Sequence, residues 1–260
     1  PFSQPRGCLR LSASEGVVVG SLTYRDLWQS GVQTVALSLR IVFHRKLPFG
    51  VLGVLGYYAI LYAVMTFNPS DGFSVEDALN ILVQLPMCAL AVYLSMDLVA
   101  SERDRDTLET LFSTASSHYA IWSVRLGALH GILLLSSLAM STLSYFLFAE
   151  FPFVLGGLNA AVPAFLVANL AFYFAVCVRS SNAAGMLALG CLLLCMMVSD
   201  DLADGSVYNL FLNPFNIPAG IDLTVWDDRI LLNRATVLAA GGLLLFLALR
   251  RMERRERLLS

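Results

Sequence analysis

Six apolar runs, each near the length needed to cross a bilayer, follow one another between residues 47 and 250, and few folds other than a helix bundle in lipid can absorb them. A hydrocarbon core about 30 Å thick takes roughly 20 helical residues at about 1.5 Å each. The runs are expected as spans at 47–67, 79–100, 120–148, 152–178, 183–199 and 230–250, the fifth being the shortest. Charged residues make up only 14% of the 260 residues and mean hydropathy is +0.71. A soluble domain carries roughly a quarter charged residues. The fold class expected is therefore all-α integral membrane, with six transmembrane helices.

The flanks sharpen this. Residues 1–21 are aperiodic, with no apolar core of signal-peptide length, and read as an exposed N-terminal lead-in. The chain opens on Pro1 without an initiator Met, so a start upstream or a processed terminus is expected. Across 22–46, Trp28, Val32, Val35, Leu39 and Val42 recur at helical spacing, while Asp26, Gln29, Gln33, Arg40 and His44 fall largely on the other face. Such a helix suits the membrane interface, or packs on protein. Pro86 and Pro163 are expected to kink the second and fourth spans without necessarily ending them. Gly53, Gly56, Gly127, Gly131, Gly156, Gly157, Gly241 and Gly242 are candidates for close helix approach.

Charge placement gives the orientation. With an even number of spans and the amphipathic helix inside, the inner segments hold 15 of the 17 basic residues, including the 251–260 tail; only Arg229 and Arg234 lie outside. That asymmetry is what the positive-inside rule requires, and it places both termini in the cytoplasm. The outer segment 200–229, with Val207 to Phe215 and Ile217-Pro218, is too apolar for a solvated tether and too short for a span. It reads as a re-entrant or interfacial segment, or as a loop folded over the helix ends.

Four of the five cysteines, Cys88, Cys177, Cys191 and Cys195, lie in apolar runs without metal-ligand spacing and read as small buried hydrophobes. A P-loop needs a Gly-Lys pair, and the only lysine is Lys46, preceded by Phe43-His44-Arg45. No zinc-protease or serine-hydrolase signature is present, and His44, His118 and His130 are not spaced as a ligand set. A catalytic role is thus not expected, nor a bound metal or cofactor, nor nucleic acid as a partner. Inside the spans the polar groups noted are Asp97, Arg125, His130, Asn159 and Asn169. Asp97 and Arg125 lie near the inner surface, where snorkelling or pairing suffices. His130, Asn159 and Asn169 are the candidate substrate-path residues. No mid-membrane carboxylate is apparent, which disfavours a proton- or sodium-coupled carrier.

The long charged interruption, 101–119, falls between spans two and three. As a helix from about 102 to 113 it puts Glu102, Arg105, Asp106 and Glu109 on one face and Leu108, Leu111, Phe112 and Ala115 on the other, with Arg105–Glu109 at i,i+4. This reads either as a docking element for a cytoplasmic partner or as a solvated linker.

Glu102-Arg103-Asp104-Arg105-Asp106-Thr107-Leu108-Glu109-Thr110-Leu111-Phe112-Ser113-Thr114 resembles the E-R-E-x-G-T-L-E-x-L-L-x-T-P pattern of ABC-2-type transporter permeases, found between their second and third spans. The span count, the amphipathic N-terminal helix and the Asn213-Pro214-Phe215 segment also fit. Asp106 stands where that family usually has Gly, and Ala115 where it usually has Pro, so the docking turn is expected to differ in shape or to engage a diverged partner. The resemblance implies a permease subunit of an ATP-driven ABC transporter, an exporter in a bacterial cytoplasmic membrane. It would pair with a second copy or a sister permease and with a cytoplasmic ATPase dimer carrying ATP and Mg. Glu102, Arg103, Arg105, Thr107, Leu108, Glu109, Leu111, Ser113 and Thr114 would be the ATPase-coupling residues. Residues 22–46 would be the connector helix and 200–229 the outer re-entrant element. Two alternatives stay open: a non-transporting anchor that passes ATPase motion to an outer partner, and a membrane enzyme with an unfamiliar site.

Overall fold

The fold is taken from a computed structural model, which describes residues 46–67, 79–103, 118–178, 180–202, 205–218 and 220–259. Among these residues six helices are long and apolar enough to cross a membrane, and there is no strand. They are α1 (Lys46–Phe67), α2 (Leu85–Arg103), α3 (His118–Leu147), α4 (Phe153–Cys177), α5 (Ser181–Asp201) and α6 (Leu223–Leu259). A π-helical turn, Leu79–Gln84, leads directly into α2. The helices match the six expected spans, with one shift. The sixth begins at Leu223, seven residues before the start at 230 read from hydropathy. Helical backbone needs no apolar side chains, so Asp227, Asp228 and Arg229 extend the rod beyond its greasy part. At 37 residues, α6 is roughly 55 Å long against a hydrocarbon core of about 30 Å. The amphipathic segment 22–45 lies outside the described residues.

α4 is the centre of the bundle, packing against α2, α3, α5 and α6. Its sequence explains this. Ala160, Ala164, Ala168, Ala171 and Ala175 recur at spacings of four and three, forming a buried stripe of small side chains. In lipid there is little hydrophobic gain from helix association, so close van der Waals approach matters more. Gly157 shows how close: a Cβ there would lie 3.0 Å from Leu138 Cα and 3.2 Å from the Ser137 carbonyl of α3. Beside it, Gly156 meets the Phe151 ring and Ser141 Oγ. On α6, Gly241 meets Phe165 and the Leu166 backbone of α4. The other five glycines named for close approach, Gly53, Gly56, Gly127, Gly131 and Gly242, face open space instead. They lie on outward faces, which sequence alone did not separate from inward ones.

Both prolines sit inside spans without ending them. Pro163 lies within α4, which continues through it. Pro86 is handled differently. Lacking an N–H, it leaves a carbonyl one turn back without its helical donor. The Tyr58 hydroxyl of α1 reaches the Leu82 carbonyl at 2.6 Å, and Tyr57 donates to the Ile81 carbonyl at 2.7 Å. Tyr58 also lies 2.9 Å from Ser144 Oγ of α3, so one buried hydroxyl joins three elements.

Between α4 and α5 the chain turns within a few residues. The Ser180 hydroxyl accepts from the Ala183 N–H at 3.4 Å and caps α5, satisfying one of the orphan donors of its first turn.

Candidate functional site

A network of side-chain hydrogen bonds lies at the end of the bundle where α6 begins. Between α5 and α6, the described residues of 205–222 form a chain of turns, with no helix until Leu223. Two Asn-x-Phe units shape it. The Asn209 side-chain carbonyl accepts from the Phe211 N–H at 2.8 Å, and the Asn213 one from the Phe215 N–H at 2.9 Å. Each side chain thereby imitates a backbone turn. Gly205, at φ 76, supplies a left-handed corner where a Cβ would meet the Trp226 ring.

This turn segment is held to α6 by three side chains, one of which also reaches α4. Trp226, nearly fully buried, donates its indole N–H to the Pro214 carbonyl at 3.0 Å. The Asn233 amide donates to the Val207 and Asn209 carbonyls at 2.6 and 2.8 Å. Arg234 donates through Nη2 to the Leu212 carbonyl at 2.6 Å, through Nε to Asn159 Oδ1 at 3.0 Å and through Nη1 to Asn233 Oδ1 at 3.2 Å. The guanidinium is buried, and among the described residues its partners are all neutral oxygens. Backbone carbonyls that no helix can satisfy must find donors before they can sit next to lipid. Arginine, with five donors in a rigid fork, meets that need with one side chain.

Arg234 lies three turns inside α6 and acts as a structural donor, a role that counting it as a charge did not reveal. Asn159 is drawn into the same clamp, its own amide donating to the Leu155 carbonyl at 2.8 Å. Its hydrogen-bonding partners are thus protein groups.

The other two candidate path residues lie deeper. His130 on α3 has Nδ1 at 2.7 Å from the Leu126 carbonyl. A carbonyl can only accept, so Nδ1 carries the proton and Nε2 presents a lone pair. Nε2 is buried with no hydrogen-bond partner among the described residues. The ring packs against Phe165 of α4, centroids 4.6 Å apart. Together with Leu134, Leu158 and Leu238 these two residues line a cavity of about 300 Å³ between α3, α4 and α6. Asn169, fully buried on α4, faces the His130 ring without closing a hydrogen bond to it. The cavity is walled almost wholly by apolar side chains, His130 Nε2 itself being buried, and it is separate from the Arg234 clamp that holds Asn159.

Sequence reasoning passed over Gln84, in the π turn, which is fully buried with both amide atoms unpartnered among the described residues. A polar residue two positions before an intramembrane proline was the available signal. Of the coupling residues, Glu102 and Arg103 close α2. Arg105, Thr107, Leu108, Glu109, Leu111, Ser113 and Thr114 lie outside the described residues. Among the described residues there is no group of three or more His, Cys, Asp or Glu side chains able to hold a metal ion.

Comparison with family models, with curated proteins and with solved structures finds no match to this chain.

Proposed function

We propose that the chain is the membrane-spanning permease subunit of an ATP-driven transporter of the ABC-2 type, an exporter of the bacterial cytoplasmic membrane with both termini in the cytoplasm. The observation that carries the reading is the Glu102–Thr114 motif, joined to its place in the fold. It follows the second span and precedes the third, and the six described spans supply the expected membrane domain. On this reading a cytoplasmic ATPase dimer docks on Arg105, Leu108, Glu109 and Leu111, closes on ATP and drives α2 and α3. Substrate moves along or between this chain and a second permease.

A second reading, the non-transporting anchor, draws on the Arg234 clamp. Turns bound to α6 by four side-chain hydrogen bonds, with a fifth tying Arg234 of α6 to Asn159 of α4, are suited to passing helix motion to an outer partner.

The experiment is charge reversal at Arg105 and Glu109 in the full chain, assembled with its partner ATPase. ATP hydrolysis should uncouple from transport while insertion is unchanged. Full ATP-driven transport by the variants would remove the docking assignment. Hydrolysis coupled to an outer partner's movement, with no cargo crossing, would select the anchor.

A further inference from the structure

At the opposite end of the bundle from the Arg234 clamp, α4 ends and α6 runs on past its apolar part. Tyr173 lies one turn before the last residue of α4, Cys177. Leu247, Arg250 and Arg251 are spaced three and four apart on α6 and so share a face. These four residues line a cavity of about 180 Å³.

We propose that this cavity binds the phosphate of an anionic phospholipid. The inference needs only that the chain spans a membrane and is independent of the permease reading.

The chemistry of the lining carries it. Arg250 and Arg251 are exposed, and neither forms an ion pair or hydrogen bond among the described residues. The Tyr173 hydroxyl is likewise without a hydrogen bond there; its ring lies tilted against that of Phe174, with centroids 6.0 Å apart. Three donor groups thus converge on one cavity, and among the described residues that line it none offers a carboxylate. A phosphate, with several acceptor oxygens and a negative charge, matches two guanidinium forks and a phenol.

Depth selects the lipid as the phosphate's source. The apolar stretch of α6 ends at Met252, which places both arginines in its last turn, at headgroup level. Tyrosine is a residue of that same interface. Leu247, exposed one turn deeper, gives an acyl chain a surface to follow. Arginines at a span end reach for the interface in any case. What distinguishes a built site from that general behaviour is the tyrosine, contributed by a second helix.

The test uses the full chain, purified in mild detergent, with native mass spectrometry counting retained phosphatidylglycerol against phosphatidylcholine. The wild type should prefer the anionic lipid. Each arginine replaced in Arg250→Gln and Arg251→Gln should lower that preference roughly fivefold. Two charge-preserving changes decide the matter. Tyr173→Phe should lower the preference about tenfold, since it removes one hydrogen bond to a charged group. Arg250→Lys with Arg251→Lys should also lower it, because the forked donors are lost. Unchanged thermal melting identifies these variants as folded. If both keep the wild-type preference, general attraction of a basic segment explains the binding and the site is overturned. Millimolar inorganic phosphate should displace little phosphatidylglycerol. If it empties the site and the variants alter phosphate binding alone, the ligand is a soluble anion and the lipid assignment fails.

Discussion

α1 and α4 are about equally apolar, yet they occupy opposite roles. In the apolar window of α1, 11% of residues are buried inside the protein, against 56% in that of α4. Hydropathy places both in lipid and cannot tell them apart. The difference lies in residue size. α4 presents an unbroken stripe of alanines and two glycines toward its neighbours. α1 carries Phe49, Leu52, Ile60 and Tyr62 outward, and among the helices its main packing partner is α2. Membrane residence is thus written in hydropathy, and position within the bundle in the spacing of small side chains. The lesson extends to glycine. Gly157 and Gly53 have the same chemistry, but one lies against the backbone of α3 and the other faces open space.

Substitutions at these positions test the contrast directly. Gly157→Leu should be the most damaging change, costing upwards of about 3 kcal/mol, because the atoms a side chain would meet include backbone that cannot move aside. Thermal melting of the purified protein should show loss of the cooperative transition, and a variant melting like the wild type would refute the close α3–α4 approach. Arg234→Leu follows, at about 3 kcal/mol, since it strips the donor from a main-chain carbonyl, the buried Asn233 amide oxygen and the half-buried Asn159 one. Its signature should be local: faster proteolysis within 205–222 in vesicles that expose this end of the bundle, with the rest protected. Tyr58→Phe should cost about 1 kcal/mol, in line with hydrogen bonds between membrane helices, and appear as a small drop in melting temperature. Gly53→Leu should leave the stability of the single chain within about 0.5 kcal/mol of wild type. A large loss there would mean that α1 meets a second chain, which size-exclusion chromatography with light scattering would register as a change in oligomeric state.

Much of the fold was legible in the residues themselves. Long apolar runs survive any tertiary context, so all six spans were found and five began within about three residues of the helical backbone, the second counted from its π-helical turn. The sixth began early because acidic residues interrupt hydropathy without interrupting hydrogen bonding. The clamp was not legible. Arg234 and Asn159 are 75 residues apart, and the other acceptors are main-chain carbonyls, which carry no mark in the sequence. The pair Asn233-Arg234, just inside an apolar run, was the visible hint, since a charge beside lipid needs partners. The counting of inner and outer charges used Arg234 only as a sign. The three candidate path residues separated for a related reason. Polarity inside a span identifies a residue with a need; the neighbouring helices determine what meets it. Asn159 is met by Arg234, while His130 and Asn169 face each other beside a cavity.

The proline at the start of α2 has a consequence for how the protein is made. Helices that satisfy all their own carbonyls can enter the bilayer as independent units. α2 does not fully qualify, because its lead-in turn takes hydroxyl donors from Tyr57 and Tyr58. Those donors lie on the preceding span, which leaves the ribosome first. Synthesis order therefore delivers the donors before the acceptors that depend on them. A permuted chain carrying the same six helices, with α1 moved to the end, would have to insert α2 with its carbonyls unmet.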